Sequence, residues 1–259
     1  MPAKKVPSTS HTKVEPQNST GRLSGKVAVI TGGSSGIGFA IAQALAAEDC
    51  NIVITGRDQK RLSAALSKLS AIRHGAEARG QTGDVRDPAS VSALFAMVEE
   101  RFGRLDILVN NAGISQPPTP LEQTSLELWR DQIESNLTSL FLCTRAALPL
   151  MKAGATIINN LSLAAKQIFP NFHGYTAAKT GALGFTLSLR AEVMERGIRV
   201  TALIPGATAT DLWQQIIPDA PLERMVKPES IAQAVLYAVL LPPEANLSEI
   251  IVTPILGAV

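Results

Sequence analysis

The chain has 259 residues, 46% of them apolar, enough for a substantial core in one α/β domain. Its net charge of +2 points to no nucleic-acid partner and to no strong steering of a charged substrate. His11, His74 and His173 show no metal-ligand spacing, and no apolar run reaches the ~18 residues of a membrane span, so a zinc site and a membrane protein are both set aside. Residues 1–22 are rich in Ser, Thr, Pro and Lys and cannot bury enough apolar surface to offset their ordering entropy, which predicts a disordered tail. The tail lacks the apolar centre of a secretory signal. Its serines and its single acid, Glu15, also fit a targeting peptide, but the lack of arginine before Arg22 favours a plain tail. Cys50 and Cys143 fall within apolar or helical patterns and read as buried thiols of a reducing compartment, hence a cytoplasmic protein.

From residue 23 onward strands and helices alternate. Residues 26–31 (KVAVIT) read as a buried strand. Gly32-Gly33-Ser34-Ser35-Gly36-Ile37-Gly38 follows at once, then a helix over residues 39–48. A strand, a glycine-rich turn and a helix start are the setting in which backbone N–H groups hold a pyrophosphate. Gly32 permits the turn, Gly36 lets phosphates approach the backbone, and Gly38 allows close helix–strand packing. The spacing is G-x-x-x-G-x-G rather than the common G-x-G-x-x-G. Residues 51–55 form the second strand, which ends in Thr55-Gly56-Arg57 with no acid to bond a ribose 2′-OH. Arg57 can instead pair with a 2′-phosphate, which favours NADP(H) over NAD(H). Arg57 also reads as a solvated charge at a helix start, with Asp58 as the N-cap of a helix over 59–70. A short strand over 78–83 closes in Asp84-Val85. Pro88 opens a helix to residue 101, and residues 106–109 make the fourth strand, ended by Asn110-Asn111-Ala112-Gly113. Ligands of open parallel sheets gather at such strand ends.

The second half carries the chemistry. A long amphipathic helix is expected over 126–152, with Asn136 inside it, where a polar residue of modest helix propensity needs a reason. Residues 155–160 (ATIINN) are the fifth strand and Ser162 lies just past it. Tyr175 and Lys179 stand four residues apart in a helix over 176–186, so phenol and ammonium share one face. A nearby positive charge favours phenolate and makes tyrosine a usable proton donor or acceptor. Taken alone, the pair reads first as a surface tyrosine and a snorkelling lysine on an ordinary helix. Residues 198–204 make the sixth strand, broken by Pro205-Gly206, and residues 249–254 the last.

Together these motifs resemble the short-chain dehydrogenase/reductase family, classical type. The resemblance rests on Thr31-Gly32-x-x-x-Gly36-Ile37-Gly38, Asn110-Asn111-Ala112-Gly113, Ser162 thirteen residues before Tyr175, Tyr175-x-x-x-Lys179, and Pro205-Gly206 with Thr210 after it. It implies a Rossmann-like, doubly wound, seven-stranded parallel sheet in a single domain over residues 23–259. It implies that Tyr175 is the general acid or base, that Ser162 bonds the substrate oxygen, and that Lys179 lowers the Tyr175 pKa and bonds the nicotinamide ribose. Asn136 would hold a water linking Lys179 to solvent, and hydride would move at the 4-pro-S face. The cofactor would be NADP(H), held by Gly32, Ser34, Ser35, Gly36, Ile37, Gly38, Arg57, Asp84, Val85, Asn111, Ala112, Gly113, Tyr175, Lys179, Pro205, Gly206, Thr208 and Thr210. Asp84 would bond the adenine amino group. The chain departs from the family at Leu161, where a serine is usual, and in lacking a glycine pair after the last strand.

Residues 115–120, 163–172 and 207–226 should form the substrate pocket. Their large side chains, Leu163, Ile168, Phe169, Phe172, Leu212, Trp213, Ile216 and Ile217, suit a hydrophobic ketone, aldehyde or secondary alcohol. The same residues could close a core or an interface. The resemblance further implies a homodimer or homotetramer. A non-catalytic NADP(H)-binding sensor or scaffold is the rival reading, disfavoured because Asn136, Ser162, Tyr175 and Lys179 are all kept. An enoyl reductase is disfavoured by the tyrosine–lysine spacing. A nucleoside triphosphatase is excluded because no Gly-Lys-Ser/Thr closes the glycine loop.

Overall fold

The computed structural model describes residues 21–72, 75–255 and 257. Most of the expected tail, with His11 and His74, lies outside these residues. Short runs, most of them β-branched and aliphatic, form the strands β1 (Val27–Ile30), β2 (Asn51–Gly56), β4 (Leu105–Asn110), β5 (Met151–Asn160), β6 (Arg199–Pro205) and β7 (Glu249–Val252), while the edge strand β3 (Ala78–Thr82) is mostly polar. They make one seven-stranded sheet in the order β3-β2-β1-β4-β5-β6-β7, all parallel. Parallel strands need crossovers, and these are the helices α1 (Gly36–Ala46), α2 (Gln59–Ser70), α3 (Pro88–Phe102), α4 (Leu126–Ile133), α5 (Ser139–Ala147), α6 (His173–Val193), α7 (Leu212–Ile216) and α8 (Pro228–Val239).

Both faces of the sheet are covered, which is why its central strands read as continuous apolar runs. Ile30, Ile52, Ile54 and Val109 pack on one face against Ile41 and Leu45 of α1, Leu62 of α2 and Val235 of α8. Val29, Leu108, Ile157 and Val200 pack on the other against Phe95 of α3, Cys143 of α5 and Val193 of α6. Each such fully buried side chain contributes roughly 1.5–3 kcal/mol by leaving water. The chain winds outward from β1 to β3 and then returns to lay β4 on the other side of β1. That reversal opens a crevice at the carboxyl ends of β1 and β4, where the glycine-rich turn and Asn110–Gly113 both lie.

The fold class read from the sequence holds, with local differences. The expected helix over 126–152 is α4, a π-helical turn at Glu134–Thr138, and α5, followed by a 3₁₀ turn at Leu148–Leu150. Pro149 cannot supply an N–H to continue the ladder, so the helix tightens and stops there. Met151 already pairs with Leu105, and β5 therefore starts four residues earlier than expected. α1 begins at Gly36, inside the glycine-rich turn, rather than at residue 39. α6 is longer at both ends than the expected 176–186. Asp58 caps α2 by accepting from the Arg61 N–H, as expected. Among the described residues no helix is long and apolar enough to cross a membrane, and no cluster of His, Cys, Asp or Glu could hold a metal ion.

Candidate active site

One cleft of about 1210 Å³ runs along the carboxyl edge of the sheet, and nineteen of the twenty expected site residues line it. Gly32, Ser34, Ser35, Gly36 and Ile37 form its floor where β1 passes into α1. Gly36 has φ +53°, a left-handed conformation that other side chains rarely adopt, and a Cβ there would stand 3.2 Å from Thr210 Cγ2. Gly38 is the exception. It packs beneath the turn against the Asn111 amide and the Gly32 carbonyl and does not reach the cleft, so its part is packing rather than contact.

The turn after β4 is held by side chains from its neighbours. Thr31 Oγ1, buried, accepts from the Asn111 and Ala112 N–H groups at 2.9 Å each. Asn111 Nδ2 donates to the Thr31 carbonyl at 2.9 Å, and Asn160 Nδ2 donates to Asn111 Oδ1 at 2.8 Å. Thr31 as a side-chain clamp, and Asn160, were not singled out as working residues from the sequence. Their signal was there: a polar residue at the buried end of an apolar strand has to bond something.

The chemical groups come from three elements. Ser162 follows β5 and its hydroxyl accepts from the Ala164 N–H at 3.1 Å. Tyr175 and Lys179 lie one turn apart on α6, with Lys179 Nζ 5.6 Å from the phenol ring centroid. Lys179 is 5% exposed, and its ammonium donates to the Asn160 carbonyl at 3.1 Å. Burial pulls its pKa down from 10.5 to about 8. Asn136 sits in the π-helical turn, where the widened backbone brings its side chain inward, a placement frequent at working sites. Asn136 Oδ1 is buried with no hydrogen-bond partner among the described residues, and a Cβ at Gly113 would stand 2.5 Å from it and 3.6 Å from Lys179 Nζ. A side chain at position 113 would therefore close the space between the two.

One expectation needs correcting. Lys179 was expected to lower the Tyr175 pKa. Burial instead raises the phenol above its ordinary value, and what opposes burial is the hydrogen bond with Ser162, not the lysine. Tyr175 is thereby held protonated at neutral pH.

At the other end, Arg57 is exposed on the cleft wall and forms no salt bridge among the described residues, leaving its guanidinium open to an anion. The Ser34 hydroxyl lies against Gly56, the residue before it, since a Cβ at Gly56 would stand 2.7 Å from Ser34 Oγ. Asp84 also faces the cleft, but Arg86 grips both its oxygens at 2.7–3.1 Å and holds it below the usual carboxylate range, with Arg57 adding less. Arg86, itself bonded to Asp131 at 3.1 Å, is a cleft residue that the sequence reading missed. Val85 completes that wall.

Pro205, Gly206, Thr208 and Thr210 line the middle of the cleft after β6. Beyond them the lining is Leu163, Phe169, Phe172, Leu212, Trp213, Ile216 and Ile217, as expected. Ile168 is not part of it; its side chain is 83% exposed on the loop. Of residues 115–120, only Ser115 reaches the lining. His173 opens α6 and faces water.

The residues present fit a nicotinamide dinucleotide. A tight backbone turn at a helix start, an open cation, and a tyrosine beside a buried lysine share one groove of sufficient length. A family model described as short chain dehydrogenase matches residues 26–221. A 3alpha-hydroxysteroid dehydrogenase of Mediterraneibacter gnavus is 36% identical over 225 residues, covering 83% of this chain and 90% of its own. A 3-oxoacyl-[acyl-carrier-protein] reductase of Synechocystis sp. is 36% identical over 233 residues, covering 87% and 94%. Among solved structures, an alcohol dehydrogenase from the archaeon Thermococcus sibiricus, complexed with 5-hydroxy-NADP, superposes with a TM-score of 0.82 at 32% identity. That match covers 89% of this chain and 97% of the archaeal one.

Proposed function

The chain belongs to the short chain dehydrogenase family, and from that premise we propose that it is an NADP(H)-dependent oxidoreductase that interconverts a carbonyl and a secondary or primary alcohol on a hydrophobic substrate. The observation that carries the reading is the convergence of Ser162, Tyr175 and Lys179 in the same cleft as the glycine-rich turn. Support for the cofactor comes from the Arg57 guanidinium, exposed on the cleft wall, and from the 5-hydroxy-NADP held by the archaeal relative. Support for the substrate class comes from the apolar lining between Leu163 and Ile217.

Gly32, Ser34–Ile37, Arg57, Asp84, Val85, Asn111–Gly113, Lys179 and the residues from Pro205 to Thr210 would hold the cofactor, which when bound supplies or accepts the hydride. Ser162 donates to the substrate oxygen and stabilises the negative charge that develops on it. Tyr175, held protonated by burial, gives its phenolic proton to that oxygen in reduction; in oxidation the phenolate takes it back. Lys179 offers an ammonium that deprotonates more readily than an ordinary lysine and so exchanges protons near neutral pH. Asn136 Oδ1, free and aimed toward Lys179, is the acceptor for a water that restores the lysine's proton.

A homodimer or homotetramer is part of the proposal. Trp129, Phe141 and Leu187 leave 37–46% of their surface exposed on the neighbouring helices α4, α5 and α6, a patch that a second copy would cover. Light scattering that gave the mass of one chain at micromolar concentration would remove this point.

The test of the activity is NADPH consumption, followed by absorbance, against a panel of ketones, diketones, aldehydes, steroids and acyl thioesters, with Tyr175→Phe as control. Turnover that vanishes in the variant supports the mechanism. Turnover that survives in the variant shows that Tyr175 is not the proton donor.

A further inference from the structure

Strands β2 and β3 end side by side at the cleft. The Gly83 N–H donates to the Gly56 carbonyl at 3.1 Å, so the next residues, Arg57 and Asp84, leave the sheet as neighbours, and both line the cleft. A guanidinium and a carboxylate placed in this way are natural partners. Yet among the described residues Arg57 is in no ion pair. The Asp84 carboxyl is held below its usual range chiefly by Arg86, with the field of Arg57 a lesser cause.

Arg86 has taken the place that Arg57 could fill. A tight turn, closed by the Asp87 N–H on the Asp84 carbonyl at 3.0 Å, carries Arg86 back onto Asp84. The Arg86 backbone N–H donates to Asp84 Oδ1 at 2.9 Å. Its Nε donates to Oδ1 at 3.1 Å and to Oδ2 at 2.9 Å, and Nη2 donates to Oδ2 at 2.7 Å. This is the fork geometry that a lysine cannot reproduce. The remaining nitrogen, Nη1, donates to Asp131 Oδ1 on α4 at 3.1 Å. That second anchor keeps the fork on Asp84, where a lone exposed pair would exchange partners with water. With Asp84 already neutralised, a second guanidinium gains little by joining it.

We propose that Arg86 sets the choice of cofactor by keeping Asp84 occupied, so that Arg57 stays free for the 2′-phosphate of NADP(H). The inference rests on the proposed reading of Arg57 as the partner of that phosphate. Without Arg86, Arg57 pairs with Asp84 and has to leave that pair before it takes the phosphate. Arg86 acts through Arg57 and is a positioning residue.

The measurement is the ratio of the NADH to the NADPH dissociation constant, by calorimetric titration of the full-length protein at 0.15 M salt. At that ionic strength the fields of exposed charges farther than about 8 Å are largely screened. The ratio cancels whatever Asp84 contributes to the adenine, which both nucleotides carry. In Arg86→Met the ratio falls about three- to five-fold through weaker NADPH binding, the strength of one partly exposed ion pair, while NADH binding is unchanged. Equal losses for both nucleotides would make Arg86 a structural residue only and overturn the inference. The same substitution in an Arg57→Ala background leaves the ratio unmoved, because the group through which Arg86 acts is gone. A fall of the same size in that background means that Arg86 meets the phosphate itself, and also overturns it. Should Arg86→Met fail to fold, Arg86→Gln keeps a hydrogen bond to Asp84 without the charge and gives the same readout. If Arg57→Ala by itself leaves the ratio unchanged, the reading of Arg57 fails and this inference with it. An ordinary Arg57→Ala effect beside an inert Arg86→Met overturns the inference alone.

Discussion

The two ends of the cleft are built differently. Around the glycine-rich turn the wall is largely backbone, set by the buried ends of β1 and β4 and clamped by Thr31, Asn111 and Asn160 at 2.8–2.9 Å. Around Trp213 the wall is side chains carried on the five-residue α7 and on short turns, with Leu212 and Ile217 still 37% and 40% exposed. The first end can hold only a ligand that matches fixed N–H groups and one open cation. The second can change its occupant by changing a side chain, with little consequence for the sheet. Tyr175 and Ser162 stand where the two meet, so under the proposed function the chemistry would be anchored to the rigid end and the choice of substrate would belong to the adaptable one.

Substitutions at the meeting point have the largest expected effect. Tyr175→Phe lowers kcat by about 10²–10⁴-fold while leaving the NADPH dissociation constant near the wild-type value. Equal losses in kcat and in cofactor affinity would show that the two ends are not separable.

Lys179 gives a prediction in stability. Burial lowers its pKa to about 8 from 10.5, so below pH 8 folded and unfolded chains both carry the proton and the folded state bears the whole cost of a buried ammonium. Between pH 8 and 10.5 the unfolded chain binds more protons than the folded one, and stability contributed by this group rises with pH, by a total on the order of 3 kcal/mol. Cys50 and Cys143 act in the opposite sense above their ordinary value of 9.0, because burial raises both thiols, Cys143 to about 12. The difference in denaturation free energy between wild type and Lys179→Met isolates the lysine. That difference should shrink steadily through this window; a difference flat in pH would refute the assignment.

Arg57→Ala tests the rigid end. It should raise the NADPH dissociation constant about 10- to 100-fold, the loss of charge-assisted bonds to a phosphate, and leave NADH binding unchanged. Calorimetric titration with both nucleotides reads this directly. A parallel loss for NADH would make Arg57 a general anchor instead. The smallest effect belongs to the adaptable end. Phe169→Ala should raise KM for a bulky apolar substrate about tenfold, with kcat and NADPH affinity little changed, as expected for loss of apolar contact alone. A fall in kcat of the same size would mean that Phe169 also orients the reacting carbon.

Much of this was legible in the residues. Strand β1, the glycine-rich turn and the start of α1 follow from apolar run, glycine spacing and helix pattern, because local sterics and burial act within a few residues. Tyr175 and Lys179 share a face because helical periodicity requires it. Other features needed the folded chain. Asn136 lies in a helix by pattern, but neither its π-helical turn nor its hydrogen bond to the Ile114 carbonyl, 22 residues away, shows in that pattern. The Tyr175 pKa was misjudged because spacing places a charge near a phenol without saying how much water either group loses, or that Lys179 turns to the Asn160 carbonyl.

By itself the sequence determined the alternation of strands and helices, the parallel sheet, the glycine-rich turn and the shared helical face of Tyr175 and Lys179. These depend on periodicity, glycine geometry and side-chain chemistry, which are properties of neighbouring residues. Tertiary structure alone decided which groups are desolvated, which buried polar atoms find partners, and which apolar side chains face the cleft instead of the surface, as Phe169 does and Ile168 does not. Those properties are set by contacts between distant segments, and burial and hydrogen-bond satisfaction are defined only once those segments have met.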